Sequence, residues 1–333
     1  MTINISIVIP HYNDNKNLYN LVKSIKKNKE FKVSDEILII DDKSFQQPKI
    51  DIKSVKIHLL KNNSGPSTAR NMGIRKARNK IILFLDSDTE LQQGSLSFIK
   101  KFYRSKTNQN IILNGCCSYN PIKKNFFTYY KALNEYFWFK EMKKITKKQI
   151  LNTRVGCIRR SILKKKNIYF DEKITNNFVE DYIFSKKLSN YLKNKSENLL
   201  IKHDFPSFYK TSKLYFLRSR EWCKLLLKKD TNFNEGGGTS KKNALSAMYS
   251  FIFFTSLILS TTFNSNFYII CLLSLFLFID HNFELIKFVS KKENIFFLVP
   301  FIAYHLFLNT IIILGAIVGI FYFLIDKINL FRT

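Results

Sequence analysis

The chain has 333 residues, 46% of them hydrophobic, and carries 54 Lys+Arg against 25 Asp+Glu for a formal net charge of +29. The lysines are spread along the chain with no compact Arg-rich tract, which points to an anionic membrane surface or a polyphosphate ligand and away from nucleic acid. Five cysteines, none in a C-x-x-C pair, argue against a zinc cluster or a disulfide framework and fit a reducing compartment.

Apolar residues are unevenly placed. Residues 1–235 mix charged and apolar segments as a soluble α/β domain does, whereas residues 244–325 are dominated by Phe, Ile and Leu. The run from Ile3 to Pro10 is too short for a signal peptide and has no basic segment before it, so the soluble part is expected to stay in the cytoplasm. Ile5 to Ile9 reads as a buried strand ended by Pro10. Residues 16–29 read as a helix, Glu36 to Ile40 as a strand running into Asp41-Asp42, and Val55 to Leu60 as a third strand. Gly65 to Asn79 has a helical pattern with Pro66 in its first turn, and Lys80 to Leu85 is a fourth strand. Strands alternating with helices imply a mostly parallel sheet. Beyond residue 94 the pattern is weaker: a strand at Ile111 to Leu113, an aromatic-rich helix over 126–142, a helix over 180–193 and a strand at Leu199 to Lys202.

Residues 213–229 are both basic and apolar. They suit a helix lying at the headgroup level with its cations toward anionic lipid, or equally a core helix with a solvated basic face. Gly236-Gly237-Gly238 among polar residues suits a flexible linker within 211–243. Ala244 to Phe263 is long enough to cross a bilayer. Three spans are expected in 244–333, roughly 244–263, 267–283 and 304–325, with two or four as rivals. Lys287, Lys291 and Lys292 place the loop at 284–293 on the cytoplasmic side. His305 and Asn309 interrupt the last apolar stretch and are expected to face another helix or a cavity.

The chemistry-bearing positions fall at strand ends and helix starts. I-L-F-L-D-S-D-T-E-L, residues 82–91, is a buried strand running into an acidic turn. Such a turn delivers Asp86 and Asp88 to the carboxyl edge of the sheet, where open α/β folds bind ligands. Two carboxylates there can hold a hard divalent cation, and such a cation suits a diphosphate. A parallel sheet gathers three more clusters onto that edge: Pro10-His11-Tyr12-Asn13-Asp14, Asp41-Asp42-Lys43-Ser44, and Asn63 to Gly73 with Arg70 in it. Together they can read a nucleotide: a carboxylate accepts a base N–H, small residues allow close backbone approach, and Arg70 offers a cation.

S-I-V-I-P-H-Y-N-D, I-I-D-D-K-S, N-S-G-P-S-T-A-R-N-M-G and F-L-D-S-D, in that order and spacing, resemble the family 2 glycosyltransferases. V-E-D-Y-I-F-S-K-K-L, residues 179–188, is similar to that family's Glu-Asp motif, and the similarity covers roughly residues 4–210. The resemblance implies a GT-A, Rossmann-like nucleotide-diphospho-sugar transferase domain over 1–210 and a nucleotide-sugar donor, UDP favoured. Carried over, Pro10, Tyr12, Asp14, Asp41 and Asp42 lie at the base, with Gly65, Arg70, Asp86 and Ser87 completing the nucleotide-sugar site. Asp86 and Asp88 take the metal–diphosphate role with Mn²⁺ or Mg²⁺, and His203, after the late strand, stands where some GT-A enzymes have a further metal ligand. Asp181 is the expected base and Glu180 the runner-up. An acidic first helical turn favoured by the macrodipole is the structural alternative for this pair.

Two departures from the family pattern matter. Lys43 stands where the family often has Gly, so that turn is expected to differ in shape. The Q-x-x-R-W element of processive relatives is absent, since Arg218-Ser219-Arg220-Glu221-Trp222 has the wrong order. Single-sugar transfer is therefore expected. The acceptor expected of an enzyme anchored in the inner or plasma membrane is a polyprenyl phosphate or lipid-linked glycan. A soluble or protein acceptor, or a non-catalytic scaffold of the same fold, are the rivals.

Overall fold

The structure is a computed structural model that describes residues 3–142, 145–146, 150–175, 178–229 and 241–330. Two compact units divide the chain, Met1–Phe205 and Pro206–Thr333. The Gly236–Gly238 linker expected from the sequence lies outside the described residues.

The first unit opens with β1 (Ile5–His11), α1 (Asn15–Lys27), β2 (Glu36–Asp41), β3 (Val55–Leu59), α2 (Gly65–Lys76) and β4 (Ile81–Leu85). It continues through β5 (Thr89–Leu91), α3 (Ser95–Arg104), β6 (Ile112–Cys117), α4 (Phe126–Glu141), β7 (Ile145–Thr146), β8 (Val155–Arg159), α5 (Arg160–Lys165), α6 (Glu180–Lys186) and β9 (Lys193–His203). All strands belong to one sheet of order β3-β2-β1-β4-β8-β6-β9-β5, with β7 pairing β9. The stretch β3-β2-β1-β4 is parallel. Beyond it the sheet is mixed, because β8 enters antiparallel between β4 and β6.

β1 is buried on both faces, as a central parallel strand must be. Ile5, Ile7 and Ile9 share a core with Leu18, Leu21, Val22 and Ile25 of α1. Val8, pointing the other way by the period-2 rule, packs with Ala69 and Ile74 of α2. Register fixes the carboxyl edge: His11 pairs Asp41, Asp41 pairs Leu59, and Val8 pairs Phe84. The residues following β1, β2 and β4 therefore emerge side by side.

Several elements differ from the sequence reading. The helix expected over 180–193 stops at Lys186, and the chain re-enters the sheet at Lys193. Lys193 is itself buried, and its ammonium donates to the Leu188 carbonyl at 3.0 Å, tying off the turn after α6. β5, β8, α3 and α5 had no counterpart in that reading.

The second unit holds α7 (Phe208–Leu227), α8 (Lys241–Thr262), α9 (Phe267–His281), α10 (Phe283–Ser290) and α11 (Ile295–Leu330). α8 and α11 are each long and apolar enough to cross a membrane, and α9 with α10, bent by 67°, would make a third crossing if the pair is one span. The last apolar stretch is one helix, Ile295–Leu330. Asn294 caps it by accepting the Phe297 N–H at 3.2 Å, and Pro300 falls early enough to cost a single ladder bond. α7 packs along α11. A Cβ on Gly315 would lie 2.3 Å from the Phe216 carbonyl oxygen, and one on Gly319 2.7 Å from that of Arg220. This Gly-x-x-x-Gly spacing lets two backbones approach as apolar helix pairs do. Asn282, at the α9–α10 bend, donates to Ser246 Oγ at 2.7 Å and lies 3.1 Å from His305 Nε2, while Asn309 donates to the His305 carbonyl at 2.8 Å. The two polar residues singled out in the apolar stretch thus join a buried network across α8, the bend and α11.

Lys43, whose turn was expected to differ in shape, has φ 60°, a left-handed backbone that a glycine adopts freely, and Asn13 opposite has φ 56°. The two turns interlock, since Asn13 N–H donates to Ser44 Oγ and Phe45 N–H donates to Asn13 Oδ1, each at 2.8 Å. A left-handed L-residue costs about 1–2 kcal/mol, and glycine forfeits about 0.5–1 kcal/mol through its freer unfolded chain. Lys43→Gly should therefore stabilise the protein by roughly 0.5–1 kcal/mol, seen as a higher thermal midpoint of the solubilised full chain. A lower midpoint would mean that the lysine side chain contributes more than its backbone costs.

Candidate active site

The N-S-G-P-S-T-A-R-N segment is organised by Asp42. Its two carboxylate oxygens accept the N–H of Ser64 at 2.7 Å and of Gly65 at 2.8 Å, which seats a negative charge at the N-terminus of α2. Gly65 has φ +85°, and a Cβ there would lie 2.3 Å from the Thr175 carbonyl oxygen, so no other residue fits this turn. Burial raises the Asp42 carboxyl, and the two N–H donors only partly offset it. Asp41, fully buried, accepts the Ser44 hydroxyl at 2.5 Å and the Ser44 N–H at 3.1 Å. Asp14 is the N-cap of α1, accepting the backbone and side-chain N–H groups of Asn17 at 3.3 and 2.8 Å. Pro10 does not end β1 as the sequence suggested: it pairs Ile40 inside the strand, which runs on to His11, and Tyr12, 46% exposed, stands open beside these turns.

One turn into α2, Arg70 is buried between two carboxylates. Nη2 lies 2.9 Å from Asp86 Oδ1, Nη1 lies 3.2 Å from Glu180 Oε1, and the guanidinium sits over the Phe170 ring at 5.6 Å. Phe170 is in turn stacked on Phe184 of α6 at 3.8 Å. Asn71 clips the same segment to α2, donating to the Phe170 carbonyl at 3.0 Å and accepting its N–H at 2.8 Å. The strand-end turn at 86–88 and the start of α6 are thus held together by neighbours on α2. Burial, then the Asp181 charge, raises the Glu180 carboxyl to about 7 against the pull of Arg70. Asp181 precedes Tyr182, whose N–H donates to it at 2.8 Å.

Asp88 turns the other way. Its Oδ2 lies 3.2 Å from His203 Nε2 at the end of β9, which pairs β5 at Thr89. Burial raises the Asp88 carboxyl, but His203 and Arg154 outweigh that and hold it below the usual carboxylate range. Asp88 Oδ1 and His203 Nδ1 are both shut from solvent with no hydrogen-bond partner. A carboxylate and an imidazole side by side, each with one buried atom outside any hydrogen bond, are ligand types that suit a divalent ion. Among the described residues no group of three or more His, Cys, Asp or Glu converges. Remaining ligands would have to come from phosphate or water, as is usual for a phosphate-bound metal. Ser87 sits half-buried between the two aspartates.

Two functional-site neighbours escaped the sequence reading. Arg154, just before β8, lies 4.0 Å from Asp86 Oδ2 and 2.7 Å from Glu135 Oε2 on α4. The only advance signal was an arginine at the mouth of an unrecognised strand.

The acid pair gives a pH dependence with a fixed sign. Glu180 holds its proton in the folded protein up to about pH 7, whereas an unfolded glutamate loses it near 4.5. Between those values the native state binds more protons, so stability falls as pH rises. The thermal midpoint of the solubilised protein should drop from pH 5 to 7.5 more steeply for the wild type than for Glu180→Gln. Parallel profiles would contradict the raised Glu180.

Comparison with known proteins agrees with this geometry. Residues 6–166 match the family model "Glycosyl transferase family 2". The poly(ribitol-phosphate) β-N-acetylglucosaminyltransferase TarS of Staphylococcus aureus is 25% identical over 198 residues, covering 55% of this chain and 32% of that protein. The GalNAc(5)-diNAcBac-PP-undecaprenol β-1,3-glucosyltransferase of Campylobacter jejuni is 33% identical over 101 residues, 28% of this chain and 32% of that protein. The crystal structure of S. aureus TarS 1-349 superposes with a TM-score of 0.48 at 20% identity, covering 67% of this chain and 66% of that one. The chain thus spans about a third of the length of the two curated relatives named. Residues 6–166, just under half of the chain, thus match the family 2 glycosyl transferases and fold into a mixed α/β sheet, followed in the same chain by apolar helices.

Proposed function

We propose that the protein transfers a single sugar from a nucleotide-sugar donor, UDP-linked by preference, to a membrane-associated acceptor, a polyprenyl phosphate or lipid-linked glycan. The observation that carries this reading is the buried Arg70 joining Asp86 at the strand edge to Glu180 at the start of α6. It brings a cation into one cluster with Asp86 and Glu180, the charges this chemistry calls for. Support for the acceptor comes from the relatives' substrates, one a poly(ribitol-phosphate) and one an undecaprenol-diphosphate-linked glycan. Support for anchoring comes from α8 and α11, with α9–α10 as the further crossing. In this reading the catalytic unit lies on the cytoplasmic side of the inner or plasma membrane, and the basic, apolar α7 lies near the headgroups.

In the reaction, Asp181 takes the proton of the acceptor hydroxyl as its oxygen attacks the anomeric carbon. The bond from that carbon to the donor phosphate oxygen breaks with its electron pair going to the departing nucleoside diphosphate. A single displacement of this kind inverts the anomeric centre. Arg70 faces the charge that gathers on the leaving group. Glu180 holds Arg70 from behind. Asp41, Asp42 and Tyr12 border the nucleoside end, where Asp42 also fixes the start of α2. Asp88, His203 and the turn at Asp86 would hold Mn²⁺ or Mg²⁺, which when bound supplies Lewis-acid neutralisation of the diphosphate.

The test is nucleotide release by membranes carrying the full chain, offered UDP-, GDP- and dTDP-sugars with and without native lipid extract. Release with one donor, dependent on lipid, removed by EDTA and restored by Mn²⁺ or Mg²⁺, is the expected result. Asp181→Asn should lower the rate by roughly 10²–10⁴-fold. Turnover onto water-soluble acceptors without lipid would instead favour a soluble or protein acceptor, and equal release by Asp181→Asn would overturn its role as base.

A further inference from the structure

Asp86 has a guanidinium on each side, and the proposed chemistry uses only one of them. On the far side stands Arg154, whose side chain is 20% exposed. Its Nη1 lies 2.7 Å from Glu135 Oε2, and Lys131, one turn earlier on α4, lies 3.2 Å from Glu135 Oε1. Its Nε reaches to 4.0 Å from Asp86 Oδ2, and its backbone carbonyl accepts the Asp86 N–H at 3.4 Å. The result is an alternating row: Glu180, Arg70, Asp86, Arg154, Glu135, Lys131. Three carboxylates face three cations along it, so the row is neutral when every member is ionised.

The two flanks of Asp86 are not equivalent. Arg70 hydrogen-bonds Oδ1, whereas Arg154 stands beyond hydrogen-bond distance of Oδ2 and is anchored elsewhere, by Glu135. A guanidinium held back in this way exerts attraction without occupying the oxygen it faces, so Oδ2 keeps acceptor capacity. A lysine carries one compact ammonium, whereas the planar fork of Arg154 sets Nη1 on Glu135 and Nε toward Asp86 at separate positions. The arrangement also links α4, through Glu135, to the turn that carries Asp86 and Asp88.

We propose that Arg154, held by Glu135, is a positioning residue for the nucleotide-sugar donor: it sets the orientation and charge balance of Asp86 while leaving Oδ2 open to the donor. The inference rests on the donor-site reading given under Proposed function. Arg154 acts through Asp86 and not on the reacting atoms.

The experiment measures donor KM, kcat, acceptor KM and UDP affinity by calorimetry on the full-length solubilised protein. The variants are Arg154→Gln, Arg154→Lys, Glu135→Gln, Asp86→Asn and the Arg154→Gln/Asp86→Asn pair. Arg154→Gln should raise donor KM and UDP Kd at least tenfold with acceptor KM unchanged. Arg154→Lys should recover part of the loss, and Glu135→Gln should weaken donor binding several-fold. In the Asp86→Asn background Arg154→Gln should add less than twofold, because residues acting as one unit are not additive. A merely structural arginine would lower the thermal midpoint and cost the same factor in either background. Should Arg154→Gln fail to fold, Arg154→Lys and Glu135→Gln carry the same readout. Wild-type UDP binding with unchanged affinity in the Arg154 and Glu135 variants, or full additivity with Asp86→Asn, would overturn the inference alone. No donor binding by the wild type would overturn the proposed function and this inference together.

Discussion

Arg70 is a buried cation shared by two carboxylates that reach it from distant parts of the chain, Asp86 at the end of β4 and Glu180 at the start of α6. Burying a guanidinium unpaired is strongly unfavourable, and Asp86 and Glu180 supply its partners. Much else in the first unit serves that contact. Asp42 and Gly65 start α2 where they do, so that Arg70 falls one turn later at the sheet edge. Asn71 and the Phe170–Phe184 stack hold the approach to α6 against the same helix. The parallel order β3-β2-β1-β4 brings the remaining strand ends alongside.

A division of labour between the two aspartates of the D-S-D turn follows from this frame. Asp86 gives one oxygen to Arg70 and turns the other toward Arg154 without a hydrogen bond, whereas Asp88 faces His203 and retains an unpartnered oxygen. Charge is therefore placed on both sides of the turn before any ligand arrives, which is the pre-organisation that electrostatic catalysis needs. The helical unit solves a different problem. Apolar helices have little to recognise in one another by hydrophobicity alone, and here two glycines on α11 and one Asn–His–Ser network supply close contact and polar specificity.

The parallel half of the sheet was legible because short apolar runs alternate with helical patterns and give way to polar turns after β1, β2 and β4, although Pro10 and Asp41 prove to lie inside their strands. The meeting of Arg70 with the D-S-D turn was legible too, since parallel strands leave their carboxyl ends on one edge. What was not legible depended on partners far apart in sequence. β8 carries no distinctive pattern in V-G-C-I-R, and its antiparallel insertion is decided by the flanking β4 and β6. Arg154 and Glu135 belong to different elements and meet only after that insertion. Gly315 and Gly319 were hidden in an apolar run whose length drew attention to membrane crossing and not to helix contact. α6 was overextended because the apolar periodicity of 180–193 runs on through the turn after Lys186 up to Lys193, the buried first residue of β9.

The central claim is that the sheet edge between Arg70 and His203 is a nucleoside-diphosphate site completed by a divalent ion. Titration of UDP into the full-length solubilised protein, with and without Mn²⁺, for the wild type and Asp88→Asn, tests it most directly. The account predicts binding by the wild type that depends on Mn²⁺ and weakens at least tenfold in Asp88→Asn. Equal UDP affinity with and without Mn²⁺ and in both proteins would contradict it.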